Sequence, residues 1–153
     1  IFGFRDPQAL EFADDLGRAM QLTNILRDIR EDYIQFGRIY LPLAELARFG
    51  LGEAWLVAAL HGTDGYHDGR STDAWATFVR FQAARAHELF ASGLRVAALI
   101  PPASAACVLT MAGIYQGILQ QIERAPHLPL QRRVSLSPAA KLGVAVQAWL
   151  RTR

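Results

Sequence analysis

An internal disulfide is excluded at the outset, because the 153-residue chain holds one cysteine, Cys107. A chain of this length without cross-links fits a reducing compartment. No basic-then-apolar leader follows Ile1, so no signal peptide is read. No apolar run reaches the length a membrane-spanning helix needs, and the richest, Ala103 to Leu119, is broken by Thr110, Tyr115 and Gln116. The expected location is the cytoplasm, with peripheral association at the inner membrane face left open. Charge of one sign is also scarce. A formal net charge of +2 makes no electrostatic case for nucleic acid. The sequence has no Ser/His/Asp grouping, no glycine loop to cradle phosphate ahead of a helix and no dinucleotide fingerprint. The last absence weighs against a nicotinamide cofactor. There is no internal repeat, no low-complexity segment and no sustained period-two alternation, so strands are not expected.

What is present is apolar and helical. Hydrophobic residues make up 52% of the chain, with modest Gly and Pro, which describes one globular domain able to bury a core. Asp6-Pro7 is a capping side chain followed by proline at the first helical position, and predicts a helix from Pro7 to about Gln35 that stops near Gly37. Short helices are predicted over Pro42–Phe49, closed by Gly50, and over Glu53–Leu60, closed by Gly62. The stretch HGTDGYHDGRST is the clearest loop. Thr72 or Asp73 would cap a long helix from Ala74 to about Leu99, ended by Pro101-Pro102. Another runs from about Ala103 to Arg124. An irregular connection follows from Pro126 to Ser137, and Ser137-Pro138 opens a last helix to about Leu150.

One stretch concentrates chemistry. Within GRAMQLTNILRDIREDYIQFGRIYLP, residues 17 to 42, the polar residues Gln21, Asn24, Asp28 and Asp32 stand at offsets of 0, 3, 7 and 11. At about 100° per residue they share roughly 80° of one helix edge. Leu22, Ile25, Leu26 and Ile29 between them suit burial. The edge carries no lysine, whereas a solvated face usually interleaves both signs. Amide and carboxylate oxygens suit a hard cation such as Mg²⁺ better than zinc. The competing reading is a structural ion-pair face, with the aspartates paired to Arg27, Arg30 or Arg38. The grouping His61, Asp64, His67 and Asp68 fits no zinc spacing and reads as a solvated loop. His87 and His127 are isolated.

The run Gln21, Asn24, Arg27, Asp28, Glu31, Asp32, then Arg38, Tyr40 and Pro42, resembles the second aspartate-rich motif of the squalene and phytoene synthase family: QxxNxxRDxxED followed by GRxYLP. The opening IFGFRDPQALEFADDLG, the MAGIYQGIL segment and the RRVSLSPAAKL tail are similar, more weakly, to the later part of a bacterial presqualene diphosphate synthase. That resemblance implies an all-α fold, a fragment of the isoprenoid (terpenoid) synthase bundle. Residues 1–153 would be the C-terminal half of a head-to-head isoprenyl diphosphate synthase domain, with facing carboxylates supplied by an upstream half.

The implied activity joins two farnesyl diphosphates into presqualene diphosphate with release of diphosphate, in squalene and hopanoid synthesis. Apolar helices would line a dry tunnel for the prenyl tails. The alternatives are phytoene synthase, acting on two C20 geranylgeranyl diphosphates, squalene synthase, which needs a nicotinamide, and a non-catalytic helical interaction module. The implied metal is Mg²⁺, or Mn²⁺, held by Asn24, Asp28 and Asp32. Asp28, Asp32 and Tyr115 are the implied catalytic residues. Gln21, Arg27, Arg38 and Arg133 are the implied substrate contacts. For three of these a plainer reading stays open: Arg38 as a helix C-terminal cation, Tyr115 as a buried tyrosine beside Gly113 and Gly117, and Arg133 as an exposed loop residue. Arg133 is chosen over Arg132 because the arginine-valine pair aligns better. Where the family often shows an acidic-basic run, this chain has Ala103-Ser104-Ala105-Ala106, which bears on packing rather than chemistry. The stretch by itself is expected to be inactive.

Overall fold

The computed structural model describes residues 6–62 and 69–152. Among these are seven α-helices and no strand: α1 (Gln8–Phe36), α2 (Leu43–Arg48), α3 (Glu53–His61), α4 (Gly69–Gly93), α5 (Pro102–Arg124), α6 (Leu128–Gln131) and α7 (Pro138–Arg151). A 3-10 turn over Leu94–Leu99 joins α4 to α5.

Local chemistry accounts for most of these boundaries. The Asp6 carboxylate accepts the Gln8 N–H at 2.9 Å, and Pro7 begins the first turn of α1. Ser137 does the same for α7, its Oγ accepting the Ala140 N–H at 3.2 Å with Pro138 next in line. α1 ends where Gly37 takes φ +63°, a conformation that glycine adopts without a Cβ clash. There the Gly37 N–H donates to the Tyr33 carbonyl at 2.8 Å and the Arg38 N–H to the Asp32 carbonyl at 3.2 Å. α2 ends in a Schellman pair: Gly50 N–H to Ala47 C=O at 2.9 Å and Leu51 N–H to Leu46 C=O at 3.3 Å. Leu46 and Leu51 are both buried, the apolar contact that accompanies this motif.

Three expectations need correction. α4 starts at Gly69, not Ala74, so Thr72 and Asp73 lie inside the helix, where Asp73 C=O accepts from the Thr77 hydroxyl at 2.8 Å. Its polar first turn carries no apolar periodicity and was invisible to the pattern. The same helix stops at Gly93, and Leu94–Leu99 winds as a 3-10 turn. The irregular connection after Pro126 contains α6, a single turn with Pro129 in its first positions. In addition, α5 does reach the length and composition of a spanning helix, with a mean hydropathy of 1.3, because an averaged window tolerates Thr110, Tyr115 and Gln116. Ala105, Val108, Ala112, Ile118, Leu119 and Ile122 on it are buried by packing. His61 closes α3 and meets the Tyr33 ring edge-on at 5.5 Å, while Asp64, His67 and Asp68 lie outside the described residues.

The chain forms two compact units. The first takes α1 as far as Thr23, the chain from Ala84 to Ile118 and the chain from Ser135 onward. Phe12, Leu16 and Ala19 of α1 are buried there, as are Phe90, Val108 and Ala112. Arg95 lies over the Phe12 ring at 4.3 Å, and the Ser92 hydroxyl donates to Asp15 at 2.6 Å. A Cβ on Gly93 would stand 2.5 Å from the Leu16 backbone nitrogen, so only glycine lets these two helices meet so closely. A Cβ on Gly113 would meet Val144 of α7 at 2.6 Å, and one on Gly117 would meet Leu136 at 2.9 Å.

The second unit takes Asn24–Ala83 and Leu119–Val134. Leu26, Ile29, Leu46, Leu56, Leu60, Phe78 and Val79 are buried in it. Trp55, Trp75, Phe78 and Phe49 form a chain of ring contacts at centroid spacings of 5.5 to 5.8 Å. Two buried polar groups are satisfied: Trp75 Nε1–H donates to Pro126 C=O at 2.8 Å, and Gln82 Nε2 to Glu45 Oε2 at 2.6 Å.

Candidate active site

On α1, Leu26 and Ile29 are buried, whereas Leu22 and Ile25, expected to be buried as well, are half-buried. By helical geometry the edge with Asn24, Asp28 and Asp32 lies about half a turn from the buried stripe. Yet all three residues are half-buried, not exposed. Gln21 is exposed and belongs to the first unit. The Oδ1 atom of Asn24 is buried and has no hydrogen-bond partner among the described residues. Such an atom costs about 1–3 kcal/mol, which a structural role leaves unexplained.

Asp28 is engaged on both oxygens. Arg27 donates from Nε to Oδ1 at 2.8 Å and from Nη2 to Oδ2 at 2.5 Å. Arg133, 105 positions away in sequence, brings its Nε within 2.9 Å of Asp28 Oδ1 and 3.5 Å of Glu31 Oε2. Arg132, its neighbour, caps the end of α6 and is exposed as well. The Arg27 and Asp28 side chains are only 12% and 16% exposed, while Arg133 is 54% exposed. The ion-pair reading of this face is therefore met at Asp28, through Arg27. It is not met by Arg30, whose Nη1 donates instead to the Leu60 carbonyl and, at 3.3 Å, to the Leu130 carbonyl. Arg30 ties α1 to the ends of α3 and α6, and so helps place the segment that carries Arg133.

Asp32 is different. Among the described residues its carboxylate has neither ion-pair nor hydrogen-bond partner. Burial pushes its pKa up, the neighbouring Asp28 and Glu31 charges push it further, and Arg38 and Arg133 oppose them more weakly. Arg38 itself is exposed. Its Nη1 donates to the Tyr40 hydroxyl at 3.3 Å, and its guanidinium lies 5.9 Å from the Phe36 ring centre.

Tyr115 is half-buried in α5, in the first unit. Gly113 and Gly117, two positions either side of it, admit Val144 and Leu136. At about 200° per two residues, Tyr115 projects from the other side of the helix from both glycines. Two contacts of this region were not read from the sequence: Glu31 shares Arg133 with Asp28, and Arg30, expected at most as an ion-pair partner of the aspartates, clamps two carbonyls instead. The half-buried acid three positions after Asp28 was visible in the spacing, but Arg30 has no local signal.

The donor set fits a hard divalent cation in part. Asn24 Oδ1 and the Asp32 carboxylate, two turns apart, are oxygen donors without partners among the described residues, and Asp28 stands between them with its oxygens held by guanidinium groups. Among the described residues no three His, Cys, Asp or Glu side chains converge as a metal group. Magnesium is commonly held by one or two carboxylates with water and substrate phosphate completing its shell, so a sparse protein set is compatible with it.

Comparison with known proteins decides the family. The sequence pattern of squalene/phytoene synthases matches residues 1–140. The chain belongs to the squalene/phytoene synthase family. A phytoene synthase from Mycobacterium tuberculosis is 41% identical over 149 residues, covering 97% of this chain and 46% of that protein. The 15-cis-phytoene synthase of a Synechocystis species is 36% identical over 143 residues, covering 94% and 39%. A chloroplastic phytoene synthase 3 of Zea mays is 38% identical over 137 residues, covering 90% and 30%. The chain thus spans less than half the length of these squalene/phytoene synthase relatives. The names of these relatives match the C20 alternative rather than the presqualene reading.

Proposed function

We propose that the whole protein is a prenyltransferase that joins two prenyl diphosphates head to head with loss of diphosphate. The relatives' names support phytoene synthase, with two geranylgeranyl diphosphates as substrates, ahead of the C15 reading with farnesyl diphosphate. The observation that carries the chemistry is the Asn24 Oδ1 atom and the Asp32 carboxylate, unpartnered among the described residues, on either side of an arginine-bound Asp28 on one helix edge. Bound Mg²⁺, or Mn²⁺, would act there as a Lewis acid that neutralises the departing diphosphate. Asn24, Asp28 and Asp32 would hold it. Arg133 would offer its planar fork of donors to the phosphate oxygens. Arg27, locked on Asp28, would fix that carboxylate's orientation rather than reach substrate. Arg38 and Gln21 stay in the proposal as substrate contacts and Tyr115 as a catalytic residue, on the family resemblance alone. Saturation of Asp28 by arginines favours the non-catalytic module, but that reading leaves the orphaned Asn24 oxygen without a purpose.

We also propose that the protein works on the cytoplasmic side, held peripherally at an anionic membrane surface. Leu142, Val146, Trp149 and Leu150 of α7 are 66%, 49%, 47% and 60% exposed, and fall within roughly 100° of one face. No Asp or Glu follows Glu123, while Arg124, Arg132, Arg133, Lys141, Arg151 and Arg153 do. An apolar face in an acid-free basic stretch suits anionic lipid.

Feeding C15 and C20 prenyl diphosphates to the purified full-length protein with Mg²⁺, followed by mass spectrometry, tests the reaction. A C40 hydrocarbon from the C20 substrate is expected. A C30 presqualene diphosphate would move the assignment to the C15 reading, and the absence of any condensed product would remove the head-to-head assignment.

A further inference from the structure

We propose that Arg133 is an exchangeable counter-ion: it occupies Asp28 while the site is empty, and yields Asp28 to a divalent cation as its own charge passes to an incoming diphosphate. The inference rests on the cation-holding role proposed for the α1 edge.

Charge at Asp28 is the starting point. One carboxylate faces two guanidinium groups, Arg27 and Arg133. A divalent cation on that carboxylate would add two positive charges beside two already present. Solvent screens such repulsion poorly at Asp28 and Arg27, whose side chains are only 16% and 12% exposed. Either the cation avoids Asp28, or one arginine leaves.

The two arginines are not equally able to leave. Arg27 is the sequence neighbour of Asp28 on the same helix, is 12% exposed and makes two hydrogen bonds, at 2.8 and 2.5 Å. Arg133 is 54% exposed and comes from the extended segment after α6, where Arg132 has φ −159° and ψ 160°. Val134, next in sequence, is buried and anchors the backbone, so departure is a swing of the side chain alone. Glu31, 3.5 Å from Arg133 Nε, keeps the guanidinium near the edge when Asp28 lets go. A diphosphate arriving with the cation then supplies the anionic partner that Arg133 has lost. Cation and diphosphate would bind cooperatively, each removing an obstacle to the other. Without diphosphate, Arg133 competes with the cation and protects the site from idle occupation.

The test is calorimetric titration of Mn²⁺ into the full-length protein, with and without inorganic diphosphate, for the wild type, Arg133→Gln, Arg133→Lys and the exposed control Arg132→Gln. Arg133→Gln is expected to bind Mn²⁺ alone about tenfold more tightly than wild type, and to gain less from diphosphate. Arg133→Lys keeps the competing charge and is expected to stay close to wild type, as is Arg132→Gln. Equal or weaker binding of Mn²⁺ alone by Arg133→Gln, with wild-type thermal stability, overturns the exchange while leaving the cation site intact. No Mn²⁺ binding by wild type under either condition removes the cation site itself, and the exchange with it.

Discussion

Asp32 is the residue whose environment runs most clearly against stability. Its pKa is raised above the ordinary 3.8 by burial first and by Asp28 and Glu31 next, so the folded state holds that proton more tightly than the unfolded chain does. The stability linked to this group is whole below the unfolded pKa and is lost as pH rises through the raised folded value. Asp32→Asn should therefore unfold at a higher temperature than wild type at pH 7 in metal-free buffer, and the difference should shrink as the pH approaches 3; thermal melts across that range would show it. The proposed turnover should move the other way, falling at least about 100-fold in the full-length protein, as expected when one preorganised charge contact is lost. A variant that gains stability and loses activity marks a site residue, whereas loss of both marks a structural one. Arg30 is the converse case. Arg30→Met would strip the Leu60 and Leu130 carbonyls of their donor. A cost of about 1–3 kcal/mol in denaturant unfolding is expected.

Glycines make the sharpest contrast between elements. Gly93→Ala would force a Cβ against the Leu16 backbone, at a cost of about 1–3 kcal/mol. Gly17→Ala meets nothing within 4 Å inside α1 and should gain up to about 1 kcal/mol from helix propensity; chemical denaturation of both variants distinguishes them. α7 offers a third comparison. The full-length protein should co-sediment with anionic phospholipid vesicles at low salt, and Leu142→Glu with Trp149→Glu should abolish this; unchanged sedimentation would rule out α7 as the docking face. The elements that sequence reveals are those with local punctuation: Asp6-Pro7, Gly37, Gly50, Gly62 and Ser137-Pro138 each mark a terminus within a residue or two of where it falls. The start of α4 escaped because Gly69 to Asp73 carry no apolar period, and α6 escaped because a single turn is shorter than any window. The site divides the same way. Asn24, Asp28 and Asp32 lie on one edge by spacing alone. The contact of Arg133 with Asp28, and the grip of Arg30 on two distant carbonyls, are products of packing between segments and have no local trace.

For the molecule as a whole, the polar edge of α1 is proposed to hold magnesium so that a prenyl diphosphate can shed its leaving group. The chain spans less than half of its phytoene synthase relatives, and the 153-residue stretch alone should release no diphosphate. In the full-length protein, the most direct measurement is diphosphate release from a C20 prenyl diphosphate after EDTA treatment and stepwise return of Mg²⁺, for wild type, Asp28→Ala and Asp32→Ala. The account predicts release that vanishes with EDTA, returns with Mg²⁺ in the wild type and stays severely reduced in both variants. Release that persists in EDTA, or that both variants recover at wild-type Mg²⁺ concentrations, would contradict it.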